Sequence, residues 1–384
     1  MGRNRHIMRA VTYEKQTSGY RAFIPAPLPP VPEIVVDDEL QALLSRADRA
    51  LGRLDGSVQT LPDADLFVLM YVRKEAVLSS QIEGTQSSLN DLLRAEAQIF
   101  DPEQPADVPE VLNYVAAMNY GLQRLTALPI SVRLIREIHE KLMHGVRGAQ
   151  LQPGELRTSQ NWIGPAGSTI NSATFIPPPP HAVADALSEL ERYVHATDTT
   201  PALIKIGLIH AQFETIHPFL DGNGRVGRLL ISLLLCEREI LQSPVLYLSH
   251  YLKANRSTYY DKLQSVRDTG EWEDWLKFFL DGIAEVSQEA TTTARDIVAL
   301  RESDRDKIIS ELGRAAGNAL RVHEALCRFP FMNVNAIAEL LGVTYSAASR
   351  LTERLVENGI LDEATGNARN RVFRYSRYVD LFTA

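Results

Sequence analysis

Twelve consecutive residues, His217 to Arg228, combine a base, a hard oxygen ligand, three glycines and two cations. The His217 imidazole titrates near neutrality and can take a proton from a hydroxyl. Asp221 offers a carboxylate oxygen of the kind that Mg²⁺ shares with phosphates. Gly222 and Gly224, on either side of Asn223, let backbone N–H groups close on an anion. Arg225 and Arg228 are three apart and share a helix face, so both can meet a polyphosphate tail. The set suits chemistry at a phosphoryl group.

Two elements must hold this stretch. Upstream, Leu203 to Phe213 has the spacing of an amphipathic helix that ends near Ile216. Downstream, Leu229-Leu230-Ile231-Ser232-Leu233-Leu234-Leu235 is apolar enough to be a buried helix. The reactive stretch is therefore a loop that opens a helix N-terminus, where the dipole favours negative charge.

His217 to Arg228 resembles the Fic motif, H-x-F-x-D/E-G-N-G-R-x-x-R, and matches it at every fixed position. The resemblance implies a helical Fic-type fold and AMP transfer from ATP to a Ser, Thr or Tyr hydroxyl of a protein. It makes His217 the base and Asp221 the Mg²⁺ ligand. Gly222, Asn223 and Gly224 would stabilise the transferring phosphoryl, and Arg225 and Arg228 would hold the tail. Kinase-like relatives carry Lys where this chain has Gly224, so Gly224 favours AMP transfer. Phosphocholine transfer, removal of AMP and nucleotide sensing by a DNA-binding regulator remain alternatives. The resemblance also places adenine near Tyr259 and Tyr260, which could stack on a base.

Further upstream, Ser79 and Glu83 lie one turn apart on a helix that Gly84 would close, with Thr85 or Ser87 as the next N-cap. Ser79-x-x-x-Glu83-Gly84 resembles the family's inhibitory motif. It implies that Glu83 pairs with Arg228 and keeps it from the γ-phosphate. Between Arg157 and Ile176, a β-hairpin turning at Pro165-Ala166-Gly167 is the best strand signal of an otherwise helical chain. It resembles the Fic flap. Its edge, Asn161, Trp162, Ile163 and Gly164 with Thr169 and Ile170, would register an extended protein target by strand addition. His139 and His144 are one residue too far apart for a zinc-protease motif and read as structural.

The remaining chain reads as support. Residues 21–35 are Pro-rich and extended, a strap over the domain. Helices are expected over 37–54, over most of 63–99, as two within 107–147, and over 271–315. After residue 317, Ala336 to Leu351 has a helix-turn-helix pattern, followed by a strand at Arg371 to Tyr375. This looks like a winged helix, a module used for DNA contact, protein docking or homodimer formation. Arg369, Arg371, Arg374 and Arg377 would be its basic footprint.

The expected organisation is thus mainly α. An N-terminal region with the inhibitory helix (1–110) precedes a catalytic core with a flap (111–245), a helical extension (246–316) and a winged helix (317–384). A net charge of −8 argues against coating nucleic acid as a whole. Two cysteines without a CxxC pair give no disulfide framework and fit a reducing cytoplasm. No signal-peptide core, myristoylation motif or membrane-length apolar run is expected.

Overall fold

A computed structural model describes residues 12–59, 61, 63–99, 103–165, 167–365 and 370–383. Helices dominate. α1 (Asp38–Gln59) turns its Leu40, Leu44, Ala47 and Leu51 inward, an alternating four- and three-residue spacing that lays one stripe against α11 (Trp272–Leu312). At 41 residues, α11 reaches about 60 Å at the α-helical rise and forms the spine of the molecule.

The strap begins as the second strand of a hairpin that its proline-rich sequence does not signal. β1 (Thr12–Lys15) pairs antiparallel with β2 (Arg21–Ile24), Thr12 opposite Ile24 and Lys15 opposite Arg21. Phe23 is buried, and its N–H donates to Ile176 O at 3.0 Å, tying the hairpin to the base of the expected flap.

α2 (Ala64–Ile82) and α3 (Leu89–Glu96) fill the expected helical region. The N-cap of α3 is Ser88, not Thr85 or Ser87. Ser88 and Asp91 form a reciprocal capping box, whereas Ser87 is bonded to Asp107. α4 (Val108–Leu125) and α5 (Val132–Leu142) pack together, followed by α6 (Pro180–His195). α7 (Ala202–Ile216) and α8 (Asn223–Glu237) form the hairpin that presents the reactive loop. α7 is not amphipathic in its setting. Every residue from Leu203 to Ile216 is buried, because helices cover it on all sides. Even Lys205 is inside, its ammonium held by Ala196 O and Asp198.

α9 (Ser249–Ala254) and α10 (Arg256–Thr269) lead into α11. The chain closes with α12 (Ala316–Arg328), β3 (Phe331–Asn333), α13 (Val334–Leu341), α14 (Tyr345–Glu357), β4 (Asp362–Glu363), β5 (Val372–Arg374) and α15 (Ser376–Thr383). The strands form an antiparallel sheet in the order β3-β5-β4. α15 returns to pack on α11, and its Phe382 ring meets Tyr71 of α2 edge-on. The expected basic footprint is partly spent internally. Arg374 pairs with Asp380 and Arg377 with the buried Asp304, while Arg369 lies outside the described residues. No helix among the described residues is long and apolar enough to cross a membrane.

Candidate active site

α7 stops at Ile216 because His217 takes a left-handed conformation, φ 49° and ψ 61°. That region is uncommon outside glycine and is held here by the surroundings. Arg157 does much of the holding. Its guanidinium donates to His217 O at 2.9 Å, to Pro178 O at 2.5 Å and to Ile216 O at 3.3 Å. Asn161 Nδ2 adds bonds to His217 O and Phe219 O.

The loop then closes on itself. Asn223 Oδ1 accepts the Phe219 N–H and its Nδ2 donates to Phe219 O, both at 2.8 Å. The Asn223 side chain is therefore a loop clamp, and only its backbone N–H remains for an anion. Gly222 has φ +78°, and a Cβ there would press on Met143 and His139. His139 is structural, as expected, and it is stacked 3.7 Å from Phe219. Its Nδ1 accepts the Gly154 N–H and its Nε2 donates to Asp221 O. Burial brings His139 down to about 4, which keeps that tautomer neutral.

Asp221 is half-exposed. One carboxylate oxygen accepts the Gly222 N–H at 2.7 Å and lies 3.8 Å from Arg225. Among the described residues no group of three or more His, Cys, Asp or Glu side chains could hold a metal. A lone half-exposed carboxylate fits Mg²⁺, which commonly takes one or two protein oxygens and draws the rest from phosphates and water.

The two arginines diverge. Arg225 is buried and paired with Glu110, also buried, at 3.0 Å, with Met143 Sδ on its other nitrogen. It is a strut rather than a free clamp. Arg228 turns to α2. Its Nε donates to Ser79 Oγ at 2.9 Å, and its Nη2 to Ser79 O at 3.0 Å and to Glu83 Oε1 at 2.6 Å. Its Nη1 is buried without a hydrogen-bond partner among the described residues.

Glu83 is the first residue past α2. The Gly84 N–H bonds Gln81 O and the Thr85 N–H bonds Ser80 O, with Gly84 at φ +99°. This is a Schellman ending. It projects the Glu83 carboxylate over Gly224, where a Cβ would overlap Glu83 Oε1. The carboxylate thus lies against the first turn of α8, beside Gly224. Burial would raise the Glu83 pKa, but the charge and hydrogen bond of Arg228 outweigh it and hold Glu83 below the usual carboxylate value.

His217 is pushed down to about 3, first by burial and then by the charges of Arg267 and Arg157. Its Nδ1 is buried with no hydrogen-bond partner among the described residues. The imidazole is therefore neutral at physiological pH and able to accept a proton. Glu214, one turn earlier and absent from the sequence reading, is buried against Gly227, and burial raises it to about 7. No motif position marked it, and a Glu within an apolar helix was the available signal.

Two expectations need correcting. Tyr259 cannot stack on a base. It is wholly buried, with its hydroxyl bonded to His210 Nε2 at 2.9 Å. Tyr260 is 38% exposed and remains at the rim, with Arg256 over its ring. The hairpin flap shrinks to one antiparallel bridge, Ile163 to Phe175. Local bonds replace the strands. The Trp162 indole donates to Ser168 O, and Thr169 and Ser172 cap a 3₁₀ turn over Ile170–Ser172. Asn161 faces the reactive loop rather than a target. Trp162 and Gly164 are exposed, Ile163 is partly so, and Ala166 lies outside the described residues.

Known proteins share this helical arrangement. The Fic/DOC family N-terminal model matches residues 41–123 and the Fic/DOC family model residues 129–235. The chain thus carries a Fic/DOC N-terminal region followed by a Fic/DOC domain. Its relatives include one from Aquifex aeolicus named probable protein adenylyltransferase, 30% identical over 199 residues, which are 50% of this chain and 56% of that protein. Protein adenylyltransferase Fic of Drosophila erecta is 29% identical over 175 residues, 45% of this chain and 32% of that protein. The chain therefore spans between a third and a little over half of these relatives. Among solved structures, a Fic family protein from Desulfovibrio desulfuricans superposes with a TM-score of 0.58 at 17% identity, covering 89% of this chain and 97% of that one. A Fic domain containing signaling protein from Bacteroides thetaiotaomicron gives 0.52 at 18%, covering 67% and 95%. At such identities the likeness concerns the fold.

Proposed function

We propose that this chain transfers AMP from ATP to a Ser, Thr or Tyr hydroxyl of a protein, itself included, and that Glu83 restrains the reaction. One observation carries the reading: a neutral, left-handed His217 beside a helix N-terminus against whose first turn Glu83 lies, held on Arg228. The target hydroxyl gives its proton to His217 as its oxygen bonds to the α-phosphorus. The bond from that phosphorus to the bridging oxygen breaks, and pyrophosphate leaves. Phosphate charge beside His217 raises its proton affinity from the low resting value. The N–H groups at the start of α8 meet the charge that builds on the phosphoryl oxygens. Mg²⁺, held by Asp221 with the phosphates, would neutralise tail charge. Tyr260 is the remaining side chain of the proposed adenine pair, and the exposed edge at Trp162 to Thr169 is the proposed target-docking surface.

Removal of AMP by the same site is the second reading. It is favoured by Glu83 Oε2, which stands outside the ion pair and could orient a water. We read residues 317–384 as a winged helix that docks protein rather than DNA, since Arg374 and Arg377 are already paired.

Incubation with ATP labelled on the α-phosphate tests the main reading. Label should enter protein, increase in Glu83→Gly and vanish in His217→Ala, which should lose about 10²–10⁴-fold. Equal labelling from γ-labelled ATP would overturn it.

A further inference from the structure

α2 has a second working face. Glu75, Ser79 and Glu83 follow at four-residue steps toward the reactive loop, whereas Lys74, Val77 and Gln81 turn to a separate cavity of about 390 Å³. α9 supplies His250 and Lys253 to this cavity, Leu89 stands at the start of α3, and Phe382 of α15 closes one side. That volume suits a small organic molecule.

Lys74 is the unusual member. It is 7% exposed, yet its ammonium makes no hydrogen bond or ion pair among the described residues. Its company is the Tyr247 ring, 4.2 Å to the centroid. Buried ammonium groups are normally paired, because desolvating an unpaired charge is expensive. Burial lowers Lys74 to about 8, with Glu289 acting weakly the other way. Glu289 itself faces His250 at 3.7 Å. Lys253 donates to the neutral Gln81 amide at 2.6 Å, so its charge too lacks a carboxylate there.

We propose that this cavity binds a small amphipathic anion, its charged head on Lys74 and Lys253 and its apolar body against Leu78, Leu89 and Phe382. Glu289 and Glu285 act on His250 from outside the lining, so among the described residues the cavity wall itself carries two lysines and no carboxylate. An apolar wall beside a cationic floor excludes highly hydrated inorganic anions and favours a carboxylate or phosphate ester on a hydrocarbon body.

Titration calorimetry on the full chain, with octanoate and octyl phosphate as separate probes, tests this and distinguishes the two head groups. At least one probe should bind saturably, and octanol should bind at least tenfold more weakly. Lys74→Met keeps the apolar stem and should weaken the probe tenfold or more, while Lys253→Ala should weaken it less. As a check that needs no variant, Lys74 should react with acetic anhydride ahead of ordinary lysines near its lowered pKa, and bound probe should protect it. Absence of saturable binding by either probe, equal binding of octanol, or unchanged binding in folded Lys74→Met or Lys253→Ala would overturn the site. So would acetylation of Lys74 at the same rate with and without bound probe. Binding is the readout throughout, so the result stands apart from whether the chain transfers AMP.

Discussion

Arg225 and Arg228 sit one turn apart on α8, and each holds a glutamate, but the two pairs are built differently. Glu110 is 6% exposed and stands in the first turn of α4, beside Met143, with the exposed Arg147 at 3.5 Å on its other oxygen, so its pair with Arg225 is covered. Glu83 is 31% exposed and stands on the last turn of α2, so its pair with Arg228 opens to the loop. Burial of the partner, rather than of the arginine, separates a strut from a latch. An arginine can be wholly buried and still be released if its carboxylate can rotate into water.

The largest effect should come from breaking the covered pair. Glu110→Ala leaves buried Arg225 with only the longer contact to Asp221, 3.8 Å away, and should destabilise the protein by about 3–5 kcal/mol in urea denaturation. A loss under about 1 kcal/mol would erase the difference between the pairs. Breaking the open pair should leave the fold nearly intact and change activity. Glu83→Gly removes a charge-assisted bond worth about 1.5–3 kcal/mol and should raise AMP transfer about 10–100-fold, with a melting temperature about 2–4 °C below that of the parent. Adding Arg228→Ala should cancel the gain, and transfer that stays high in the double variant would show that the freed arginine is not what matters.

A smaller effect sharpens the geometry. Gly224→Ala sets a methyl against Glu83 Oε1 and Arg228 and should cost about 1–3 kcal/mol. Most of that cost should disappear in a Glu83→Gly background, giving a coupling of about 1 kcal/mol or more in a double-mutant cycle. Additive effects would place the carboxylate elsewhere. The smallest expected effect is none at all. Glu83 is held below its ordinary value, so its ion-pair stabilisation is present above the unfolded value and is lost only as pH falls through the folded one. His217, lowered to about 3, stays neutral over the same range. Glu214, raised to about 7, titrates in that window beside Glu83 and Arg228, so in a Glu214→Gln background the ratio of Glu83→Gly to parent kcat/KM should stay constant from about pH 8 to pH 6. A ratio that shrinks across that range would mean that acid opens the latch.

How much was readable beforehand depended on where the information lay. The reactive stretch was legible because its residue types are contiguous, so spacing alone sets their order around a helix start. The approach of Glu83 to Arg228 spans most of the core, and nothing local announces it. It was anticipated through resemblance. Arg157 and Asn161 were misread as hairpin residues because alternation cannot tell a strand edge from a loop that donates to His217 O. The strands gave way to the Trp162–Ser168 and Thr169–Ser172 bonds, which are local and satisfy the backbone without a partner. Tyr259 and Tyr260 are adjacent in sequence, yet one turns inward to His210 and the other to the rim. β1 and β2 were missed because the proline run drew the segment toward a strap.

The ending of α2 has a consequence for how the latch behaves in time. Its last carbonyls carry partial negative charge, and Glu83 adds a full negative charge beside them, an arrangement disfavoured by about 0.3–1 kcal/mol. Across the gap, the same carboxylate is favoured by the positive end of α8 and by Arg228. The helix that carries Glu83 therefore pushes it away, and the helix that receives it pulls it in. Such a joint stores a restoring force. When phosphate oxygens compete for the start of α8, the pull is shared while the push remains, so departure of Glu83 is assisted by its own helix. Under the proposed restraint by Glu83, the time it spends on Arg228 is then set mainly by α8, and changes at α8 alone should tune the rate of release.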